Sequence, residues 1–330
     1  MTSIAARAAA PRGIWKAFYT KRTLPTSAGW TAVAYNGSVW AALVGGSTQA
    51  ATSTDGATWT SRTSSGSSNW SGMGAIGSTF VAVASGTSTY QTSTDGINWT
   101  SRTMPSSTNW TITHYSGSLA SGVLAISADK TAWTTNGTSW TESAYASGTK
   151  NGGYWQIAGS AYNGTTWVLL KDNFTDHYFT STNGTTWTQR NMPIPDQRYE
   201  DMGYYWGGIS WTGTYWLAAF AYGGQYYRST DAITWTPAAT PSWIAPDGGK
   251  TAITPQYNPT MGGSNGATYY SVYRGGFQTL DGVTWVNRAP TLPYAYGFWN
   301  GAAYNSTTAV WVGNSGACVS GPNESPSTRR

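Results

Sequence analysis

The sequence predicts an all-β fold, a seven-bladed β-propeller of four-stranded antiparallel blades in which an N-terminal strand completes the C-terminal blade. Three observations predict it. One turn motif recurs six times, a second recurs seven times about twenty residues upstream of the first, and the chain opens and closes part-way through a repeat. Self-similarity at a near-constant period with four short strands per unit is the pattern of a propeller.

The six-fold motif is Ser53-Thr-Asp55-Gly-Ala-Thr-Trp59, repeated as Ser93-Thr-Asp95-Gly-Ile-Asn-Trp99 and Thr134-Thr-Asn136-Gly-Thr-Ser-Trp140. It returns as Ser181-Thr-Asn183-Gly-Thr-Thr-Trp187, Ser229-Thr-Asp231-Ala-Ile-Thr-Trp235 and Thr279-Leu-Asp281-Gly-Val-Thr-Trp285. The tryptophans are 40, 41, 47, 48 and 50 residues apart. Asp-Gly or Asn-Gly between β-prone stretches predicts a tight hairpin, since both central residues tolerate positive φ. The Ser or Thr can bond nearby backbone, and each Trp is expected to pack on a neighbouring unit. Ala232 replaces the glycine in the fifth copy, which predicts a strained turn or one of another type.

The seven-fold motif runs from Ala34-Tyr-Asn-Gly-Ser-Val-Trp40 through Ile76-Gly-Ser-Thr-Phe80, Tyr115-Ser-Gly-Ser-Leu119 and Tyr162-Asn-Gly-Thr-Thr-Trp167. It continues as Trp211-Thr-Gly-Thr-Tyr-Trp216, Gly263-Ser-Asn-Gly-Ala-Thr-Tyr269 and Tyr304-Asn-Ser-Thr-Thr-Ala-Val-Trp311. Each unit therefore holds strand, turn, strand, connection, strand, turn, strand. The chain begins with the end of a unit, because Arg22-Thr-Leu-Pro25 matches Arg102-Thr-Met-Pro105. It finishes on a third strand around Asn314 to Val319 that lacks its partner. Joining the two leaves no sheet edge at the seam. The expected layout is a flexible arm at 1–13, one propeller at 14–320 and a polar tail at 321–330.

Composition narrows the class. Of the 330 residues 39% are hydrophobic and 15% aromatic, but only 9% are charged against about 25% in ordinary domains. Pervasive aromatics exclude disorder, and a single cysteine, Cys318, excludes a disulfide scaffold. No apolar run reaches the ~18 residues of a membrane helix, so no membrane insertion is expected. Arg7 interrupts the only stretch that resembles a signal peptide. The formal charge is +5, yet the arginines are scattered and two of them end the chain, so no nucleic-acid partner is expected.

The repeat resembles the Asp-box (BNR) repeat of sialidase-like propellers, Ser-x-Asp-x-Gly-x-Thr-Trp, with the Asp-to-Trp spacing shortened by one. The resemblance spans residues 15 to 319. It implies architecture rather than chemistry, since in that family the box lies at the blade periphery. The shortened box in Ser-, Thr- and Gly-rich, charge-poor blades looks like the propeller proteins of tailed-bacteriophage particles.

The residues do not assemble a recognisable catalytic set. A sialidase needs three converging arginines and a Tyr-Glu pair. Arg62, Arg102, Arg190 and Arg288, however, all follow a repeat Trp by three residues, which makes them a structural ring. Arg198, Arg228 and Arg274 stand outside the repeat, but no Tyr-Glu pair goes with them. A glycosidase needs two opposed carboxylates, for which Asp196, Glu200 and Asp201 in one loop and Asp172 and Asp176 in another are the candidates. Loop solvation, with pairing to Arg198 or Lys171, is the simpler account. His114 and His177 lack ligand spacing, and His177 reads as a turn residue. Asn replaces Asp at 136 and 183, which favours turn capping over calcium. Cys318 reads as an unreactive core thiol. Neither a metal nor a cofactor is expected.

Difference within a repeat is where function is sought. The connections after Trp187, Trp235 and Trp285 are long and aromatic, and all leave a fourth strand, so they share one face. Tyr199, Tyr204, Tyr205, Trp206, Trp243, Tyr257, Tyr294, Tyr296 and Trp299 form the candidate ligand-binding patch, since Tyr and Trp bring apolar area with a polar tip. Several of them serve equally well as packing between blades. The expected function is a non-enzymatic phage virion protein, tail-associated and made in the host cytoplasm without a signal peptide. Its expected partners are other virion proteins and host-surface polysaccharide. The alternatives are a glycan-degrading enzyme using the loop carboxylates and an Asp-box assembly factor.

Overall fold

The strands run from two to nine residues between the turn motifs, apolar in middle strands such as Trp40–Val44 and polar in outermost ones such as Thr60–Ser68, and every hydrogen-bonded strand pair among the described residues is antiparallel. The computed structural model describes residues 20–112, 122–144, 156–172, 177–193, 206–211, 214–220, 225–239, 261–262, 268–272, 275–279, 285–287, 299–304, 308–313 and 317–322. Its first strand, β1 (Thr20–Thr23), stands apart and pairs with the last one. Sheet 1 is then β2 (Trp30–Tyr35), β3 (Trp40–Val44), β4 (Ser47–Ser53) and β5 (Thr60–Ser68). Sheet 2 is β6 (Trp70–Ile76), β7 (Thr79–Ala84), β8 (Thr87–Ser93) and β9 (Thr100–Thr108). Sheet 3 has three strands among the described residues, β10 (Val123–Ile126), β11 (Lys130–Thr134) and β12 (Thr141–Ala144). Thr111 bridges to Ile126 on the open side of β10, where the first strand of this unit is expected; its turn at 115–119 lies outside the described residues.

Sheet 4 holds β13 (Gln156–Tyr162), β14 (Trp167–Asp172), β15 (His177–Ser181) and β16 (Thr188–Asn191). Sheet 5 holds β17 (Trp206–Trp211), β18 (Trp216–Phe220), β19 (Gln225–Ser229) and β20 (Thr236–Ala239). Sheet 6 is β21 (Met261–Gly262), β22 (Thr268–Val272), β23 (Gly275–Thr279) and β24 (Trp285–Asn287). Sheet 7 is β25 (Trp299–Tyr304), β26 (Thr308–Gly313) and β27 (Ala317–Pro322), completed by β1 with Arg22 opposite Cys318. β27 reaches Pro322, two residues into the segment expected to be tail. His177 opens a strand opposite Asn191, because it continues the apolar run Tyr178-Phe179; it is not the turn residue the sequence suggested.

Middle strands are apolar on both faces because sheets cover them on both sides. In β3, Ala41 and Leu43 join the core shared with sheet 2, while Trp40, Ala42 and Val44 join the core shared with sheet 7. Similar cores link sheets 2 and 3, 3 and 4, and 4 and 5. The motif tryptophans sit where the repeat places them. Trp59 packs on sheet 7, Trp99 on sheet 1, Trp140 on sheet 2, Trp187 on sheet 3 and Trp235 on sheet 4. Trp285 opens β24 and its side chain lies outside the described residues, as does Asp281 altogether.

The turn itself differs from the expected two-residue hairpin. β4 ends at Ser53 and β5 begins at Thr60, so a six-residue loop intervenes, and only its glycine has positive φ, +69° at Gly56. Side chains close it. Asp55 Oδ1 accepts from the N–H of Ala57 and of Thr58 at 2.8 and 2.7 Å and from the Ser53 hydroxyl, while Ser53 Oγ accepts the Gly56 N–H. Asp95, Asn136, Asn183 and Asp231 each accept the same two downstream N–H groups through Oδ1. An acceptor is all that is needed, so Asn serves as well as Asp.

Ala232 keeps this loop and takes φ +60° with a side chain, so it is strained rather than of another type. Ala232→Gly relieves about 1–2 kcal/mol of left-handed strain. It also loses a buried methyl of about 0.8 kcal/mol and adds unfolded-chain entropy of about 0.4–1 kcal/mol. A near-neutral result, within about 0.5 kcal/mol in urea unfolding, is expected. Gly56→Ala has no such compensation. Its Cβ would lie 2.9 Å from Val310 Cγ2 at φ +69°, and a loss of about 1–3 kcal/mol is expected in the same assay.

Candidate binding face

Alternation of strand direction puts the loops at two ends of each sheet. The first and third loops share one end: Asn36 in the β2–β3 turn donates its Nδ2 to Ser78 O and Thr94 O, which lie in the first and third loops of sheet 2. The second loop and the connection to the next sheet share the other end. There Gly46 N bonds Ser68 O, Ser85 N bonds Asn69 O and Gly86 N bonds Thr108 O. The long aromatic connections leave a fourth strand, so the candidate face is this second end.

Outer strands are built to anchor these connections. β5 pairs Thr63 with Gln49 and Ser68 with Ser47, so residues 64–67 form a bow out of register; β9 does the same between Thr103 and Thr108. Such a bow interrupts an otherwise open edge. Leu24, Met104 and Met192, each two residues after an arginine, plug the cores between sheets. Polar contacts then tie each bow to the next sheet. Thr26 Oγ1 donates to Gln49 Oε1 at 2.6 Å, and Ser65 donates its N–H and hydroxyl to the fully buried Gln91. Ser106 Oγ donates to Glu142 Oε1 at 2.5 Å and accepts from Lys130 Nζ, which stands 3.7 Å from Glu142 Oε2. No repeat spacing marked Gln91, Lys130 or Glu142, because each sheet solves the same anchoring problem with a different residue.

Of the nine candidate aromatics, Trp206 and Trp299 are described in their backbone. They open β17 and β25, opposite Phe220 and Gly313, each just before a bulge. Trp30 and Trp70 hold that register position in sheets 1 and 2 and are buried. Tyr199, Tyr204, Tyr205, Trp243, Tyr257, Tyr294 and Tyr296 lie outside the described residues. So do Asp176, Asp196, Arg198, Glu200, Asp201 and Arg274, while Asp172 closes β14.

The repeat arginines hold the rim together. Arg62, Arg102 and Arg190 donate Nε to Thr52, Thr92 and Thr180 Oγ1 at 2.9–3.1 Å, and Arg22 donates to Ser320 Oγ. Arg228 stands instead over the ring of Tyr215, 5.4 Å from its centroid.

Hydrogen bonds also set the charge state of the box. The Thr58 N–H, the largest influence, and then that of Ala57 hold Asp55 near 2 instead of 3.8. Burial pulls Asp231 upward, but bonds from Thr234 and Ile233 outweigh it and also leave it near 2. Asp95 is lowered in the same way. A carboxylate depressed in the fold contributes stability that is complete above its unfolded value, near 3.8, and vanishes as pH falls through the folded value. Thermal midpoints are expected to stay level from neutrality to about pH 4 and to fall between about 4 and 2. Asn at 55, 95 and 231 is expected to flatten that fall.

Comparison with known proteins gives the fold and nothing finer. No protein-family model matches the chain, and no curated protein matches it in sequence. A catalytically inactive virginiamycin B lyase from Staphylococcus aureus, solved with quinupristin, superposes with a TM-score of 0.68 at 9% identity, over 92% of this chain and 98% of that one. YCF48 bound to D1 peptide gives 0.67 at 14% identity over 93% and 97%. The WD40 β-propeller domain of Doa1 gives 0.60 at 9% over 94% and 99%. The chain is therefore a β-propeller.

Proposed function

We propose that the protein is a non-enzymatic phage virion component. In this reading its seven sheets close into a ring of seven Asp-box blades, and the face carrying the long connections attaches to other virion proteins and to host-surface polysaccharide. One observation carries the reading: in a charge-poor repeat with 40 Gly and 20 Trp, the connections after Trp187, Trp235 and Trp285 depart from the repeat and are long and rich in Tyr and Trp, and each leaves a fourth strand. Function concentrates where a repeat breaks its own pattern. Chain economy agrees, since the box side chains are consumed in closing their own loops and the repeat arginines in bonding the neighbouring strand of their own sheet. Among the similar folds, one is a lyase solved with quinupristin and one is bound to a peptide, so a propeller supports either class of activity.

Closure is supported by β1 pairing with β27 and by the core that Val310, Val312 and Cys318 share with Trp40 and Trp59. Burial pushes the Cys318 thiol up to about 12, and at 1% exposure it lies under both partners. A closed seam predicts no labelling by a thiol reagent in the time the denatured chain labels completely. Labelling of the native protein at the denatured rate contradicts closure. The virion assignment is tested by mass spectrometry of purified particles. A fixed copy number per particle supports it, and absence from infective particles rejects it.

A further inference from the structure

We propose that Asn163 is a site of spontaneous covalent modification, where the backbone nitrogen of Gly164 displaces the side-chain amide. This goes beyond the attachment reading, and the β13–β14 turn that carries it lies at the opposite end of its sheet from the long connections.

The reaction needs only the chain and water. Gly164 N gives up its proton and bonds to Asn163 Cγ, while the bond from Cγ to Nδ2 breaks and ammonia leaves, closing a five-membered imide. Water then adds to one of the two imide carbonyls. Breaking the bond from Cγ to nitrogen gives aspartate, and breaking the main-chain bond gives isoaspartate. Glycine admits the attack because it has no Cβ to crowd its nitrogen. Two features then set the rate, how freely that nitrogen can move and how freely the amide can leave.

Seven Asn-Gly pairs occur in the chain. Those at 151 and 265 lie outside the described residues, and at 300 only the backbone is described. The other four differ in the two reacting groups. In the box loops the nucleophile is held: Gly137 and Gly184 are buried and donate N–H to Thr134 Oγ1 and Ser181 Oγ, each at 2.9 Å. In the β2–β3 turn the leaving amide is held: Asn36 is 4% exposed, and its Nδ2 donates to Ser78 O and Thr94 O of sheet 2. Asn163 has neither restraint. It is partly exposed beside an exposed Gly164, and neither its Nδ2 nor the Gly164 N–H has a hydrogen-bond partner among the described residues. The two turns otherwise match. Asn36 and Asn163 each accept two downstream N–H groups through Oδ1, and Tyr35 and Tyr162 donate to Gly37 O and Gly164 O. Aspartate at 163 keeps the turn, since Asp55 accepts the same pair of N–H groups, and it lowers the formal charge of +5 by one. Isoaspartate lengthens the turn by one main-chain carbon.

Peptide mapping by mass spectrometry, after the free protein has stood in mildly alkaline buffer, reads amide loss at each pair. No glycan is present, so its failure is separate from failure of the attachment reading. Asn163 is expected to convert at least about fivefold faster than Asn36, Asn136 and Asn183, because each of those must first give up at least one net hydrogen bond. In urea the four are expected to convert at similar rates, since glycine follows each. Ser181→Ala frees the Gly184 N–H and is expected to speed conversion at Asn183 about fivefold, the worth of that one bond, with Asn163 unchanged. Equal rates at 163 and 183 in the native parent overturn the inference, as does a native protein in which Asn163 keeps its amide while the chain in urea loses it. So does a folded Ser181→Ala protein with an unchanged rate at Asn183.

Discussion

Gly72→Val is expected to lower stability by about 3 kcal/mol or more, read as a large fall in the urea midpoint at constant slope. Gly72 follows the bulge of β6 and faces sheet 3 at closest approach. A Cβ there would lie 2.3 Å from Ile112 N and 2.9 Å from Ile112 O. Backbone atoms cannot swing away as a side-chain tip does, so the inner strands must separate. Gly74 is the control two residues on. Its Cβ would meet Val123 Cγ2 at 3.1 Å, a side chain that can give, and Gly74→Ala is expected to cost under about 1.5 kcal/mol. Equal effects at 72 and 74 would refute the close approach of the inner strands.

Trp70→Ala is expected to cost about 3–5 kcal/mol. Trp70 is fully buried between sheets 1 and 2 among Ala32, Leu43, Met73 and Phe80. Its indole N–H has no hydrogen-bond partner, so the loss is burial and cavity rather than a broken bond. Trp70→Phe keeps most of that volume and is expected to lose less than half as much. Trp99 makes the useful contrast. It is half-buried at the outer end of the same core, with Nε1 donating to Gly96 O, and Trp99→Ala is expected to cost less than Trp70→Ala. Melting temperatures of the three variants check the order. Trp206 and Trp299 share the register of Trp70, so alanine variants at those positions need their stability measured beside their binding.

Two periods in the sequence placed the strands because the turns that set them are chemically demanding. Asp or Asn must accept two backbone N–H groups, and Gly must take positive φ, so these residues recur and can be counted. The expected turn type was too short, because dipeptide preference shows which residues bend and not how many the loop spans. Ser53 and Asp55 close six residues, which the flanking Ser-x-Asp spacing encodes but the Asp-Gly pair does not. Inner bulges were not legible at all. Thr31, Ser71, Ala158 and Gly207 share no side-chain type, since a bulge is fixed by pairing across the strand and tolerates any residue. The Lys130–Ser106–Glu142 anchor was hidden for the opposite reason: it is a contact between distant segments whose charged pair has no counterpart among the other described residues. The candidate face was legible only as a departure from the repeat, which locates an end of the molecule and leaves individual side chains unranked.

The most direct test of a binding propeller against a glycan-degrading one reads both activities in one sample. Purified protein is titrated with bacterial surface polysaccharide while bound fraction and reducing ends are followed together, beside Tyr204→Ala and Glu200→Gln variants. The attachment account predicts saturable binding, weakened in Tyr204→Ala and unchanged in Glu200→Gln, with no new reducing ends. Reducing ends that accumulate with the parent protein and disappear with Glu200→Gln would contradict it and make the protein an enzyme.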